Sequence, residues 1–191
     1  ADSFSLLYGI GGYFSAGDRN SFSYGYSLSD SKNNTNSSDT TAEATNAIGH
    51  GVTLGHDFMF NELISSSTGL GYSISEAKDG TNDFETYDLN FRLNFAFPWA
   101  YISTGDALSF NDYKHVDTSI NSGKIRSDVT NTFDLMFTKA IGDIFPSIDP
   151  NKNLFVNLSY EKLISEANII NYDYIADSYS LSFSKSFHLN K

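Results

Sequence analysis

The chain has no cysteine, few charged residues and no long apolar run, and each shortage removes a class of protein. Without a thiol there is neither a disulfide framework nor a thiolate metal site, and nothing in that zero contradicts export. No stretch of about 18 apolar residues occurs, which excludes a membrane-spanning helix. Lys and Arg number only 12 against 23 Asp and Glu, giving a net charge of -11 and a pI near 4.5. Those 12 are scattered rather than striped, so a nucleic-acid partner is excluded too. The chain opens at ADSFSL without a basic and apolar leader. That opening fits a mature form whose signal peptide has been cleaved, or a segment boundary.

What is abundant is aromatic and small-polar. Of the 191 residues 15% are aromatic and only 18% charged, and the mean hydropathy of -0.29 comes largely from Ser, Asn, Thr and Gly. Polarity is present; charge is avoided. The length suits one domain or one closed barrel.

The order of these residues is more informative than their number. YDLNFRLNFAF places Tyr87, Leu89, Phe91, Leu93, Phe95 and Phe97 at every second position, with Asp88, Asn90, Arg92 and Asn94 between them. A strand sends alternate side chains to opposite faces, so the segment predicts a sheet with one apolar and one polar surface. The same alternation recurs in SFSYGYSLS, IGHGVTLGHDF, STGLGYSIS, NTFDLMFTK, LFVNLSYEK and SYSLSFSKSF. Strands are expected near 3–15, 20–30, 44–58, 63–77, 84–97, 99–112, 127–141, 153–166 and 176–189. Tight links such as GDRN, FNE and FPW take turns with long polar ones such as SDSKNNTNSSDTTAE and NDYKHVDTSINSGKIRSD. Short turns at one end and long loops at the other describe an up-and-down meander.

Which face is outside decides the class of protein. With the apolar face inside, as in a soluble lipocalin-like barrel, the outer face would be Ser, Gly, Asn and Thr, unusually poor in Lys and Glu. With the apolar face outside, its aromatics suit lipid and the Gly and Ser face suits a narrow lumen. The second arrangement accounts for both faces. Phe95, Phe97, Trp99 and Tyr101 around the FPW turn, Phe58 and Phe60 at the FNE turn, and Phe187 near the last strand's end are then expected where lipid meets water. The expectation is an all-β, antiparallel up-and-down transmembrane barrel over residues 1–191, of eight strands with ten as the alternative. An even number is what a single bacterial chain normally needs, so either one of the nine segments is misread, most simply SFSLLYGIGGYF or AYISTGDALSF, or a further strand hides in a loop.

SYSLSFSKSF resembles the closing strand of Gram-negative outer-membrane β-barrels, and the pattern of the whole chain is similar to the OmpA-transmembrane, OmpX/Ail and opacity types. HLNK follows Phe187, so the chain departs from that pattern by not stopping on the aromatic. The resemblance implies an outer-membrane location after export through the periplasm, contact with lipid and lipopolysaccharide, and assembly by the barrel-assembly machinery through the C-terminal strand. It also implies loops available to an extracellular ligand, and no cofactor. Surface interaction, adhesion or envelope structure leads as a function. A narrow porin, an outer-leaflet enzyme, an autotransporter-like translocator barrel and a soluble ligand-binding barrel are the alternatives.

Residues capable of chemistry are few. His50 and His56 lie about 20 Å apart along one strand, too far for joint ligation, and Asp57 points away from His56. The two histidines share the apolar parity and are expected to mark the edges of the band around Val52 and Leu54. Asp112, His115 and Asp117, beside Tyr113 and Lys114, form the one catalytic candidate, without a recognisable motif. Asp79, Asp83 and Glu85 resemble a loose calcium loop but lack EF-hand spacing, so no metal is expected. Inside the lumen, Arg92 shares its parity with Asp88, and Asp134 and Glu161 belong to polar faces of later strands. Arg92 should therefore meet one of these acids, as a plug rather than an ion path. Asp106, Lys162 and Lys185 fall among apolar neighbours. Lys185 can snorkel from a strand end, and a bulge or register shift would remove Asp106 from the lipid face.

Overall fold

The computed structural model describes residues 2–34, 46–77, 83–116, 123–169 and 172–186. Among the described residues nine strands run in chain order: β1 (Asp2–Ser15), β2 (Asn20–Asn34), β3 (Ala47–Met59), β4 (Ile64–Ala77), β5 (Phe84–Phe97), β6 (Ala100–Val116), β7 (Ile125–Ala140), β8 (Leu154–Ala167) and β9 (Tyr174–Lys185). Each pairs antiparallel with the next, in a single sheet of order β1 to β9. Both suspect segments are real strands, β1 and β6, so the reduction to eight is corrected to nine. The sheet is also open: among the described residues β1 pairs only with β2 and β9 only with β8.

Register carries the two-faced pattern unbroken across the sheet. Leu89 of β5 stands opposite Leu70 of β4 and Leu108 of β6, while Arg92 stands opposite Ser67 and Gly105. A slip of one residue anywhere would exchange the faces. The register shifts only on β6 between Asp112 and Val116, where it pairs with β7 at the long-loop end.

The polar face is concave. One cavity of about 370 Å³ is lined by Ser23 of β2, Thr53 of β3, Gly71 of β4, Asp88 of β5, Ser109 of β6 and Thr130 of β7. In a flat sheet β2 and β7 would be about 24 Å apart, too far for a cavity of that size to touch both. Small side chains make the curl possible. At Gly69 a Cβ would stand 2.5 Å from the Asn90 amide nitrogen, so the space a side chain would need is already filled from β5.

Burial is inverted relative to an ordinary globular domain. Among the described residues the only buried hydrophobic ones are Ala100 and Ile169, whereas Ser103 is 1% exposed and Asp128 4%. On the convex face Phe91 is 45% exposed and Leu89 43%. Among the described residues no apolar core lies beneath the sheet, and the large apolar side chains are mostly on its outside.

The link between β7 and β8 is stapled by one carboxylate. Asp149, itself buried, accepts the Asn153 amide at 3.0 Å and the Leu154 amide at 2.8 Å. Burial by itself pushes its carboxyl up, but the Leu154, Asn153 and Gly142 amides outweigh that and hold it below the ordinary carboxylate value of 3.8. A lowered folded-state value contributes stability that is present above 3.8 and is lost as pH falls through the folded value. Amide exchange at Asn153 and Leu154 should therefore accelerate in acid, and Asp149→Asn should remove that acid dependence. Unchanged exchange in the wild type across the acid range would show that the carboxylate does not hold the turn.

Candidate functional site

The concave face carries the molecule's charged chemistry in two layers. The first is a transverse row in which Arg92 of β5, Gly105 of β6, Asp134 of β7 and Glu161 of β8 are register neighbours. Arg92 Nη1 donates to Asp134 Oδ2 at 2.8 Å and Nη2 to Oδ1 at 2.5 Å, a two-pronged pair that crosses over β6. Nη1 also donates to Ser103 Oγ at 2.9 Å. Ser103 in turn donates to Asn94 Oδ1 at 3.0 Å, which also accepts the Tyr101 hydroxyl at 2.7 Å.

Gly105 is what lets the pair form. A Cβ there would stand 2.7 Å from Asp134 Oδ1 and 3.0 Å from Arg92 Nη2. Of the acids considered for Arg92, Asp134 holds it. Glu161 sits beside Asp134 across the β7–β8 ladder, and Asp88 lines the cavity farther along β5.

The second layer lies toward the long loops and has no forerunner in the sequence reading. Arg126 Nε donates to Asp128 Oδ1 at 2.8 Å, and its Nη2 forms an ion pair with Asp128 Oδ2. The guanidinium lies 4.6 Å from the Tyr113 ring centroid and 3.5 Å from that of Tyr172. Asp128 and Asp134 share one face of β7 and are about 20 Å apart along it, with Thr130 and Thr132 of the cavity wall between them. The arrangement fills the concave face with paired charges at two levels, and nothing in it resembles a nucleophile with its base.

The catalytic candidate is divided. Asp112 accepts the Ser127 hydroxyl at 2.7 Å on the β7 side, whereas His115 Nε2 is 3.7 Å from Asp83 on the β5 side. Asp117 lies outside the described residues. Asp83 also accepts the Ala77 amide at 2.5 Å, and Glu85 is paired with Lys114 at 3.1 Å and accepts the Tyr87 hydroxyl at 3.1 Å. These acids tie strand ends together, and Asp79 is not among the described residues. No group of three metal-ligating side chains occurs among the residues described.

On the convex face an aromatic belt follows the short-turn end. Phe58 meets Phe60 edge-on at 4.8 Å; Phe95, Phe97 and Trp99 stack at 6.0 and 5.6 Å, and Phe137 lies 6.5 Å from Trp99. Lys139 donates to the Trp99 carbonyl at 3.0 Å. Tyr101 departs from the expectation: Phe97 pairs with Ala100 across the turn, which turns Tyr101 to the concave face and onto Asn94. Phe187 is outside the described residues. His56 stacks on Phe22 at 4.6 Å and bonds Asn20 at 3.0 Å, and His50 bonds the Tyr26 hydroxyl at 2.7 Å.

Asp106 is a second correction. No bulge displaces it; it pairs in register between Phe91 and Phe133 on the convex face and accepts from Asn131 Nδ2 at 3.1 Å. Lys162 shares that face opposite Asp177, and Lys185 lies at the end of β9 opposite Leu154. No family model matches the chain, and no curated protein matches it in sequence.

Proposed function

We propose that the protein is an integral β-barrel of a Gram-negative outer membrane, with its convex face in lipid and its activity in the long loops, as a surface-interaction or envelope-structure protein. The observation that carries this reading is the inversion of burial: the large apolar side chains face outward from a sheet whose interior is polar. In water that surface would be a severe aggregation liability; in hydrocarbon it is the ordinary arrangement.

The dimensions support it. From Tyr87 to Phe97 the apolar row of β5 is about 33 Å along the strand, hence about 25 Å across the membrane at a tilt near 40°. Glu85 and Lys114 pair just beyond that row, and the aromatic belt bounds its other end. The loops are the remaining candidates for recognition, because the concave face is filled by paired charges at two levels, Arg92 with Asp134 from β5 to β7 and Arg126 with Asp128 on β7. Those layers favour a plug over a conducting path.

Partition into the outer-membrane fraction and heat-modifiable mobility on a detergent gel are the expected results. A monodisperse protein in buffer without detergent would overturn the membrane assignment. Deleting residues 35–41 should abolish binding to host cells or matrix while leaving the barrel heat-modifiable. Unchanged binding accompanied by a sizeable single-channel current would move the function to the narrow-porin reading.

A further inference from the structure

We infer that β1 and β9 zip together in parallel, with Ile10 beside Leu181, to close a nine-stranded barrel; this rests on the membrane reading above. An open sheet leaves a row of backbone N–H and C=O groups on each edge, which hydrocarbon does not tolerate. Nine antiparallel strands in order leave β1 and β9 running in the same direction, so their mutual pairing is parallel. Two copies inserted the same way up would also meet only β9 against β1. An antiparallel β9 pair would need one copy upside down.

The register fixes the offset. The transverse row that begins at Phe14 on β1 passes through Phe91 and Phe133 and ends at Asp177 on β9. Phe14 is one residue from the end of β1 at Ser15, while Asp177 is eight from the end of β9 at Lys185. At the other end Phe14 is 12 residues from Asp2, and Asp177 is three from Tyr174. The sheet thus climbs by seven to nine residues, and only an even closing offset keeps both outer faces out.

An offset of eight sets each β1 residue beside the β9 residue numbered 171 higher. All of Tyr174–Lys185 then falls within Asp2–Ser15. Outer neighbours become Ile10 with Leu181 and Tyr8 with Tyr179, and inner ones Gly9 with Ser180. Ile10 and Leu181 are 76% and 59% exposed in the open sheet. At mid-seam the inner neighbours are small, Gly9 with Ser180 and Gly11 with Ser182, as the tight curl of β2 to β7 requires.

Because the chain has no cysteine, Ile10→Cys/Leu181→Cys gives an unambiguous test. Neighbouring strands about 4.8 Å apart are within disulfide reach. Oxidation in membranes should give an intramolecular disulfide, seen as a faster monomer on a non-reducing gel and reversed by reductant. The pair Ile10→Cys/Ile175→Cys, about 20 Å out of register, should stay reduced. Gly9→Cys/Ser180→Cys repeats the test on the inner face should the first variant fail to assemble. A disulfide-linked dimer would overturn intrachain closure in favour of head-to-tail copies. Reduced thiols in both in-register pairs, in a protein that still partitions with the outer membrane, would overturn the seam and leave the membrane reading standing. An intramolecular disulfide in a protein that stays in detergent-free buffer would do the reverse.

Discussion

Leu135→Arg is expected to destabilise the folded protein by about 2 to 4 kcal/mol in lipid, the depth-dependent effect of a charge on the outside of a membrane barrel. Leu135 is 41% exposed on the convex face of β7, between Thr104 and Tyr160 in register and away from the charged strand ends. The size matters less than the contrast with water. At an exposed site on a soluble sheet the same substitution would fall within about 0.5 kcal/mol and would raise solubility. Only lipid makes it a large loss. Tyr87→Arg, beside Glu85 at the boundary of the apolar band, should lose no more than about 1 kcal/mol. Denaturant unfolding in lipid vesicles, followed through the single tryptophan, Trp99, reads both. Equal and negligible effects at the two positions would mean that the convex face meets water.

Period-2 alternation made the strands legible because a strand with one lipid-like face has no other way to arrange its side chains. β5 was bounded at the same residues by sequence and structure, and the outward parity of Phe91 and of Asp106 opposite it persisted into the sheet. Strand number was misjudged because evenness is a property of closure, which no single segment encodes. Tyr101 was misjudged because the two residues Pro98 and Trp99 reverse the chain between Phe97 and Ala100, and that pairing resets the parity of everything after it. Arg126 escaped notice because one of its stacking partners, Tyr172, comes from a distant connection. Gly105 could not be recognised until register placed it between Arg92 and Asp134.

That glycine belongs to the second large expected effect. Arg92→Met should destabilise the barrel by about 2 kcal/mol, less than the 3 to 5 typical of breaking a fully buried pair, because the Arg92 side chain is 40% exposed. The loss arises from leaving Asp134 beside Glu161 with no cation between β5 and β7. Removing the stranded charge as well, in Arg92→Met/Asp134→Asn, should recover more than half of it. Gly105→Val tests the same pair without deleting either charge, since its side chain would occupy the path of the guanidinium. Comparable destabilisation by Gly105→Val and Arg92→Met, with strong coupling between them in a double-mutant cycle, is the expected pattern. Single-channel current should stay near baseline in Arg92→Met, because Arg126, paired with Asp128 and stacked on Tyr113 and Tyr172, still occupies the concave face nearer the loops. An Arg92→Met barrel that kept its stability and passed a selective current would make this row a gate, and the plug would have to be abandoned.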